Sequence, residues 1–490
     1  TADAEYATFI EKLRNFEGIA EHEVPEEFKG KLRPYQKAGY DWLLFLQDFR
    51  FGGILADDMG LGKTVQTIVL LLHEKKRGAS KPTLVVAPTS VVFNWRHELE
   101  KFAPGLRVLQ FTGVDREKST EQFSEYDVIL TTYGTLRRDV LMLREFPFNY
   151  VILDESQNIK NPNSQTAKAV RLLTADFRLV LTGTPIENNT IELWSQFAFL
   201  NPGMLGSQRY FQTRFATPIE KKGDKETAAF LQKLVQPFLL RRTKEQVADE
   251  LPPKSESIFY ASMTAAQANL YNYWRDYYRA AVLQNLKTKG LGRSRFVVLE
   301  GLVKLRQIAC HPQLIEPNTD RDSGKFNAMM EQLREIIAEG HKVLIFSQFV
   351  KMLTIMRKQL DAENIAYTYL DGRTRNREAK VQQFQENEDI PLFLISLRAG
   401  GTGLNLTAAD YVFHFDPWWN PAVEMQATDR THRIGQKRHV FVYKFITQGT
   451  VEEKVLQLQT RKKKLVDSLI STDAAFFKQL STEDIETLFE

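Results

Sequence analysis

The stretch that decides the fold of this chain is residues 54–64, Ile54-Leu55-Ala56-Asp57-Asp58-Met59-Gly60-Leu61-Gly62-Lys63-Thr64. An apolar run at 51–56 predicts a buried strand, and residues 65–76 follow with apolar side chains at helical spacing. A strand, a glycine loop and a helix together favour phosphate binding, because glycines let backbone N–H groups wrap the phosphates at the positive end of the helix dipole. Lys63 is then placed to reach the terminal phosphates, and the Thr64 hydroxyl to ligate magnesium.

The loop departs from the strict phosphate-loop pattern at one position, since that pattern has glycine where this chain has Asp57. The alternative is a glycine-rich turn with a chance lysine; the flanking strand and helix favour the phosphate loop. The candidate nucleotide-binding residues of the loop are Asp58, Met59, Gly60, Leu61, Gly62, Lys63 and Thr64. Gln36, shortly before the loop, is a candidate adenine contact, because a side-chain amide offers a donor and an acceptor side by side.

Length and composition bound the class of protein. The chain has 490 residues, which favours about three domains, and its 43% hydrophobic and 26% charged residues are ordinary for a globular protein. A net charge of +4 is compatible with nucleic acid but is weak evidence for it. The single cysteine, Cys310, excludes a disulfide framework and a cysteine-based zinc site. We find no apolar run of membrane-spanning length and no signal peptide, and therefore expect an intracellular protein without a membrane partner.

Strand-like runs alternate with helical patterns after the loop, at 84–87, 128–131, 150–153 and 179–182. This alternation predicts an α/β fold with a doubly wound parallel sheet, in which ligands bind at the carboxyl ends of the strands. Asp154 and Glu155 come directly after one of these runs. We expect Asp154 to hold magnesium and Glu155 to orient and deprotonate the attacking water, the two tasks of phosphoanhydride hydrolysis. The alternative is a helix N-terminus that carries favourable acidic residues.

The order of these motifs resembles that of helicase superfamily two. Residues 57–64, 154–157 and 181–188 resemble its motifs I, II and III. The acidic loop before Gly60 resembles the variant found in Swi/Snf-type ATPases. Ser156 departs from the alanine that is usual in motif II, a small change that points off the acidic pair.

The second half of the chain tests this resemblance independently. It contains a second set of strand-like runs without a phosphate loop, and its segments 347–349, 396–406 and 426–436 resemble motifs IV, V and VI. The resemblance implies that Arg430 and Arg433 are fingers that complete the catalytic site, since guanidinium forks suit phosphate. Because the two arginines are three residues apart, we expect both on one helix face. Gln426 resembles the residue that senses the γ-phosphate.

The resemblance implies two RecA-like lobes, each with a doubly wound parallel sheet, and inserted helical subdomains. The predicted domains are an N-terminal helix and connector (1–30), an ATP-binding lobe (31–190), helical insertions with an inter-lobe linker (191–320), a second lobe (321–450) and a brace helix (451–490).

The function implied by the resemblance is that of a DNA-dependent ATPase that uses ATP and Mg²⁺ and tracks on double-stranded DNA without necessarily unwinding it. We expect it to act as a monomer. Short hydroxyls at strand ends can bond a DNA backbone without reading bases. The candidate DNA contacts are Thr89, Thr132, Thr184, Ser347, Arg398 and Thr402. Two alternatives stay open: a strand-separating helicase of the same superfamily, which generally lacks such helical insertions, and an ATPase that displaces a DNA-bound protein with DNA as its track.

Overall fold

The computed structural model describes residues 18–113, 116, 119–183, 190–247, 252–400, 404–418 and 421–457. The chain divides into two compact units, residues 1–249 and 250–490, and each unit contains one parallel sheet. Among the helices of the described ranges, none is long and apolar enough to cross a membrane. The predicted N-terminal helix up to residue 17 and the predicted brace helix from residue 458 onward lie outside the described residues.

The first unit is a seven-stranded sheet with helices on both faces. Its strands are β1 (Gly53–Leu55), β2 (Thr83–Ala87), β3 (Val108–Phe111), β4 (Val128–Thr132), β5 (Phe148–Asp154), β6 (Ala175–Leu181) and β7 (Leu239–Leu240). Its helices are α1 (Pro34–Asp48), α2 (Lys63–Lys76), α3 (Thr89–Phe102), α4 (Tyr133–Leu143), α5 (Gln165–Arg171), α6 (Thr190–Leu200), α7 (Gln208–Phe211), α8 (Thr217–Lys222), α9 (Lys225–Val235) and α10 (Lys244–Val247). The strand order is β3-β4-β2-β5-β6-β1-β7, and every pair of neighbours is parallel.

The apolar runs of the first unit become strands because the sheet is buried on both faces. Every residue of β1, β2, β4 and β5 is buried, so these strands need continuous apolar sequence. Successive residues of one strand serve two cores: Leu84 and Val86 of β2 belong to one apolar cluster, and Val85 belongs to the other. Helices α1, α2 and α3 pack on the Val85 side, and α4, α5 and α6 pack on the opposite side.

The second unit is built on a six-stranded sheet. Its strands are β8 (Lys254–Ala261), β9 (Val343–Ser347), β10 (Tyr367–Leu370), β11 (Leu392–Ser396), β12 (Tyr411–His414) and β13 (Val440–Thr447). Its helices are α11 (Ala265–Cys310), α12 (Gly324–Ala338), α13 (Val350–Ala362), α14 (Arg377–Glu386), α15 (Leu397–Gly400) and α16 (Pro421–Thr428). The strand order is β10-β11-β9-β12-β13-β8, again with all neighbours parallel.

The long helix α11 bends back on itself. The side-chain amide of Gln267 donates a hydrogen bond to the carbonyl oxygen of Ile308 at 2.8 Å, which brings the two ends of the helix side by side. The Tyr271 hydroxyl accepts a hydrogen bond from the backbone N–H of Val451 at 2.7 Å. The first turns of the predicted brace helix, residues 451–457, therefore pack on α11, since Val451 and Val455 belong to one apolar cluster with Tyr271 and Leu305 of that helix.

The predicted fold class, two doubly wound parallel-sheet lobes with helical insertions, is confirmed. Three strands were missed: β3, β7 and β8. All three are edge strands, and most side chains of β3 and β8 are exposed or half-buried, so their sequences lack a continuous apolar run. Strand β8 lies in the range 191–320, which the sequence assigned to helical insertions and a linker.

Candidate active site

The carboxyl edge of the first sheet brings together the catalytic groups predicted in the first unit, Lys63, Asp154 and Glu155. Strand β1 lies beside β6, and β6 lies beside β5. The phosphate loop follows β1, Gly183 follows β6, and Asp154 is the last residue of β5 with Glu155 next to it. Since neighbouring strands are about 4.8 Å apart, the loop and the acidic pair leave the sheet within about 10 Å of each other.

The phosphate loop has the conformation that its glycines permit. Gly60 and Gly62 have φ angles of 87° and 81°, in the left-handed region that favours glycine. Gly62 is the N-cap of α2, so the loop leads directly into the helix N-terminus, and Thr64 lies in the first helical turn. A Cβ atom at Gly62 would also lie 2.5 Å from Nε2 of Gln36. Backbone conformation and close packing therefore both require glycine at position 62.

Gln36 holds the phosphate loop from α1. Its side chain is 5% exposed, and both ends of its amide are engaged. Its Oε1 accepts from the backbone N–H of Arg33 at 3.0 Å, and its Nε2 donates to the carbonyl oxygen of Leu61 at 3.1 Å. The Tyr35 hydroxyl donates to the same carbonyl at 3.0 Å. Gln36 thus fixes the loop in this structure, and its contact with adenine stays a prediction.

Lys63 is surrounded by oxygen atoms. Its Nζ donates to the carbonyl oxygen of Asp57 at 2.5 Å and to that of Asp58 at 3.3 Å. Burial lowers the pKa of Lys63, and four nearby carboxylates oppose this shift: Glu155, Asp57, Asp154 and Asp58. The ammonium group therefore lies in the electrostatic field of both the loop and the acidic pair.

The acidic pair is held in place by hydrogen bonds. Oδ2 of Asp154 accepts from the indole N–H of the fully buried Trp95 at 2.8 Å, and Oδ1 accepts from the backbone N–H of Glu155 at 2.8 Å. The Tyr133 hydroxyl donates to the Asp154 carbonyl oxygen at 2.8 Å, and Gln157 donates to Oε2 of Glu155 at 3.1 Å. Glu155 has a φ of 51°, and such left-handed non-glycine residues cluster at functional sites.

The electrostatics of the pair favour a cation. Burial raises the pKa of Asp154 to about 6, and the Glu155 carboxylate adds to the rise, whereas the Trp95 hydrogen bond and the Lys63 ammonium oppose it. Asp154 and Glu155 are only 8% and 7% exposed, so their like charges are poorly screened by water. Within the described residues no group of three or more His, Cys, Asp or Glu side chains could hold a metal ion. A magnesium ion here would share its coordination with phosphate oxygens, as is usual for this metal.

The segment after β6 packs directly on the phosphate loop. The backbone N–H of Thr182 donates to the carbonyl oxygen of Leu55 at 3.2 Å. A Cβ atom at Gly183 would lie 2.8 Å from Cγ of Met59. Motif III and motif I are therefore in contact, and the glycine permits that contact.

The second unit carries the two predicted arginines, but they are not on a helix. Helix α16 ends at Thr428 and residues 429–435 form turns, so the prediction that Arg430 and Arg433 share a helix face is wrong. The carbonyl oxygen of Arg430 accepts from the backbone N–H of Leu406 at 3.0 Å, which removes it from a helical ladder. Arg430 is 4% exposed and Arg433 is partly exposed.

The structure also describes three other predicted site residues of the second unit, Gln426, Arg398 and Ser347. Gln426 lies on α16 and is partly exposed, and Arg398 lies on α15. Ser347 ends β9 with 1% exposure, and its hydroxyl hydrogen-bonds the buried carboxylate of Asp416. The Ser347 hydroxyl thus has a structural partner in this structure, and its DNA contact stays a prediction.

Of the four threonines predicted to bind DNA, the structure describes Thr89 and Thr132. Thr89 is exposed at the start of α3. Thr132 is buried, and its Oγ1 accepts from the backbone N–H of Thr135 at 3.1 Å, which caps α4. Thr184 and Thr402 lie outside the described residues. The DNA contacts therefore stay predictions.

Sequence reasoning missed three side chains that hold the site: Trp95, Tyr133 and Arg242. Trp95 reaches Asp154 because β2, which precedes α3, is the neighbour of β5. The sequence predicts the alternation of strands and helices but not the order of the strands in the sheet, so it does not predict the contact between Trp95 and Asp154. Arg242 binds Asp57 from 185 positions away. The signal available for it was the carboxylate that stands in place of the expected loop glycine.

A doubly wound parallel sheet with a phosphate loop after its first strand and an acidic pair at the end of β5 defines a P-loop nucleotide-binding unit. The second unit repeats the sheet, and two such units are typical of helicase-like motor cores. The chain belongs to the SNF2 family: residues 35–314 match the SNF2-related domain, and residues 324–435 match the helicase conserved C-terminal domain. The predicted resemblance is confirmed.

Relatives of this chain align with it over nearly its full length. YwqA of Bacillus subtilis, whose name assigns it provisionally to ATP-dependent helicases/translocases, is 43% identical over 98% of this chain and 53% of that protein. The TATA-binding protein-associated factor MOT1 of Saccharomyces cerevisiae is 34% identical over 98% of this chain and 30% of its own length. The Sulfolobus solfataricus SWI2/SNF2 ATPase core in complex with dsDNA is 42% identical, covers 96% of this chain and 99% of its own, and superposes with a TM-score of 0.48. The chain spans about half the length of the curated relatives it matches.

Proposed function

We propose that this chain is an ATP-dependent translocase on double-stranded DNA. It hydrolyses ATP to ADP and phosphate and tracks along the duplex without separating its strands. The observation that carries the proposal is Lys63, held in the phosphate loop and in the field of Asp154 and Glu155 at one sheet edge. Membership of the SNF2 family, with a relative named for helicase/translocase activity, supports it.

The phosphate loop binds the nucleotide. Backbone N–H groups of the loop at the start of α2 would bind the phosphates, because the helix dipole favours negative charge there. Lys63 exchanges its contact with the Asp57 and Asp58 carbonyl oxygens for the terminal phosphates. Gln36 and Tyr35 keep the loop from collapsing, because both hold the Leu61 carbonyl oxygen.

Asp154 and Thr64 are the residues that would hold the magnesium ion of MgATP. They fit this ion, since Asp154 is a buried carboxylate beside a second carboxylate and Thr64 offers a hydroxyl at the helix start. When bound, magnesium neutralises the charge of the phosphate oxygens. Trp95 contributes by fixing the orientation of the Asp154 carboxylate.

Glu155 acts on the attacking water. Its carboxylate is adjacent to Asp154, and Gln157 orients it through a hydrogen bond of 3.1 Å to Oε2. Such a carboxylate can accept a proton as the water attacks the γ-phosphate. We further propose that Arg430 and Arg433 stabilise the charge that develops on the transferred phosphoryl group, and that Gln426 senses the γ-phosphate.

Double-stranded DNA is the proposed track, contacted through its backbone by the exposed hydroxyl of Thr89 and by the remaining predicted contacts. A second candidate function is the displacement of a protein bound to that DNA. The relative MOT1, named as a TATA-binding protein-associated factor, favours this second candidate. The same motor serves both, because a translocating lobe pair pushes what lies ahead of it.

The experiment that tests the proposal compares ATP turnover with double-stranded DNA, single-stranded DNA and RNA at one salt concentration. We expect the highest turnover with double-stranded DNA, little dependence on its sequence, and a steep loss of DNA affinity as salt rises. The Lys63→Ala variant is the control for contaminating ATPase. A preference for RNA, or turnover that no nucleic acid changes, would refute the proposal.

A further inference from the structure

The residue that breaks the phosphate-loop pattern, Asp57, is fully buried. Its side chain is 0% exposed and lies between the end of β1 and the glycines of the loop. A buried carboxylate is strongly unfavourable unless it is paired and hydrogen-bonded. An aspartate at position 57, unlike a glycine, therefore needs a partner for its carboxylate from elsewhere in the chain.

That partner is Arg242. Its Nε donates to Oδ1 of Asp57 at 2.9 Å and its Nη2 donates to Oδ2 at 2.5 Å, a two-pronged contact, and its own backbone N–H donates to Oδ1 at 3.1 Å. Gln66 of α2 closes the network, since its Oε1 accepts from Arg242 at 2.9 Å and its Nε2 donates to Asp57 at 3.3 Å. Arg242 also donates to the carbonyl oxygen of Tyr35 and lies over its ring. The guanidinium thus joins the loop to α1 and α2.

Backbone hydrogen bonds tie the same segments together. Strand β7 pairs with β1, and the pairing continues into the loop. The N–H of Ala56 donates to the carbonyl oxygen of Leu240 at 2.7 Å, and the N–H of Asp58 donates to that of Arg242 at 3.0 Å. The N–H of Lys244 donates to Oδ2 of Asp58 at 3.2 Å. The first half of the phosphate loop is therefore aligned along residues 240–244.

This alignment bears directly on Lys63. The two carbonyl oxygens that accept from its Nζ belong to Asp57 and Asp58, the residues that the Arg242 segment holds. A shift of that segment would move both oxygens and with them the resting position of the ammonium group. The space around the network is also restricted: a Cβ atom at Gly39 would lie 1.9 Å from Oε1 of Gln66 and 2.8 Å from Nη2 of Arg242.

We propose that Arg242 is a positioning residue for ATP binding, which acts through Asp57 to hold the phosphate loop and Lys63 in the phosphate-accepting geometry. The inference rests on the proposed function and deepens it. It assigns the departure from glycine at position 57 a role: the loop of this chain is shaped from outside, by the segment that follows β7, rather than by a further glycine.

The test is nucleotide binding and turnover by charge-pair variants of the full chain. Arg242→Gln leaves the Asp57 carboxylate buried without its fork, and we expect the Kd of a fluorescent ATP analogue and the KM for ATP to rise about tenfold or more. We expect kcat at saturating ATP to fall less, because the loop acts mainly in binding. Arg242→Lys should restore part of the affinity, since lysine keeps the charge but lacks the planar fork.

The matched control is Arg241→Gln, because Arg241 is the exposed neighbour on the same segment. The double variant Asp57→Asn with Arg242→Gln removes both charges, so its loss should be smaller than that of Arg242→Gln alone. Gly39→Ala presses on the network without changing a charge and should also raise KM. Arg242→Lys and the double variant carry the test if Arg242→Gln does not fold.

The outcomes separate the inference from the proposed function. If Arg242→Gln and Arg242→Lys bind nucleotide as tightly as Arg241→Gln, the inference is overturned, and likewise if they lose only thermal stability at unchanged KM. If the unaltered chain binds the ATP analogue but hydrolyses no ATP with any nucleic acid, the proposed function fails while the binding measurements still decide the role of Arg242. An unaltered chain that binds no nucleotide would overturn both.

Discussion

The hydrogen bond from Trp95 to Asp154 permits a prediction with a magnitude. We expect Trp95→Phe to lower kcat for ATP hydrolysis about ten- to a hundredfold, because a hydrogen bond to an ionised group contributes about 1.5–3 kcal/mol and each 1.4 kcal/mol is a factor of ten in rate. The indole N–H fixes Oδ2 of Asp154 at 2.8 Å and favours its ionised form. Burial and Glu155 raise the Asp154 pKa to about 6 although the Trp95 hydrogen bond lowers it, so the pKa rises further when that bond is lost. Less carboxylate is then present at pH 7.

The assay is DNA-stimulated turnover at saturating ATP, measured from pH 7 to pH 9 beside the unfolding midpoint in urea. The matched control is Trp42→Phe. Trp42 is also buried in the first unit, and its indole N–H also donates a hydrogen bond, to the carbonyl oxygen of Pro237 at 3.1 Å. Both variants lose an indole ring and one hydrogen bond, so comparable losses of stability are expected. Only Trp95→Phe should lose turnover, and its deficit should shrink as the pH rises.

Equal kcat values for the two tryptophan variants would refute this reasoning. So would a deficit of Trp95→Phe that is constant from pH 7 to pH 9 and tracks its loss of stability, because the indole would then support the fold without acting on Asp154.

Three further predictions concern the catalytic groups of the first unit, the two arginines of the second unit and the buried His414. Lys63→Ala should abolish ATP hydrolysis, and Glu155→Gln should abolish it while sparing the binding of an ATP analogue, since the two residues serve phosphate contact and water activation respectively. Arg430→Lys and Arg433→Lys should each reduce turnover far more than nucleotide binding, because a lysine lacks the planar fork and such arginines contribute on the order of 10³ or more in rate. Burial lowers the pKa of His414 to about 3, whereas an unfolded histidine titrates near 6.5. The unfolded state therefore binds more protons below about pH 6.5, and this residue should cost the fold about 2 kcal/mol at pH 5, a dependence that urea unfolding of His414→Gln should lack.

Each of these predictions has a contradicting result. Near-normal turnover by Glu155→Gln would show that another group accepts the proton. Full DNA-stimulated activity of both arginine variants would exclude their role on the phosphoryl group. An unfolding free energy of His414→Gln that falls between pH 7 and pH 5 as steeply as that of the unaltered chain would show that His414 is not the group that titrates.

The parts of the fold that the sequence predicted are those with a strong local pattern. Buried central strands such as 150–153 need continuous apolar residues, and the loop glycines at 60 and 62 need left-handed backbone angles, so each leaves a mark in its own segment. Edge strands leave a weaker mark: β8 has mostly exposed or half-buried side chains, so its sequence does not distinguish it from the helical insertions and linker around it.

The parts of the site that could not be predicted depend on strand order and on distant contacts. Trp95 and Arg242 approach the acidic pair and the loop only because β2 lies beside β5 and β7 lies beside β1. The arginines of motif VI show a different limit. A spacing of three residues suits a helix face, but a tertiary hydrogen bond from Leu406 to the carbonyl of Arg430 takes that segment out of the helix. Tertiary contacts of this kind override a local spacing rule.

The central claim is that ATP hydrolysis drives movement along intact double-stranded DNA. The most direct measurement is displacement of a labelled third strand from a triplex, beside the same duplex with one of its own strands labelled. The account predicts ATP-dependent release of the third strand by the unaltered chain, no release by Lys63→Ala, and a duplex that stays intact. Release of a duplex strand, or double-stranded-DNA-stimulated hydrolysis without any displacement of the third strand, would contradict it.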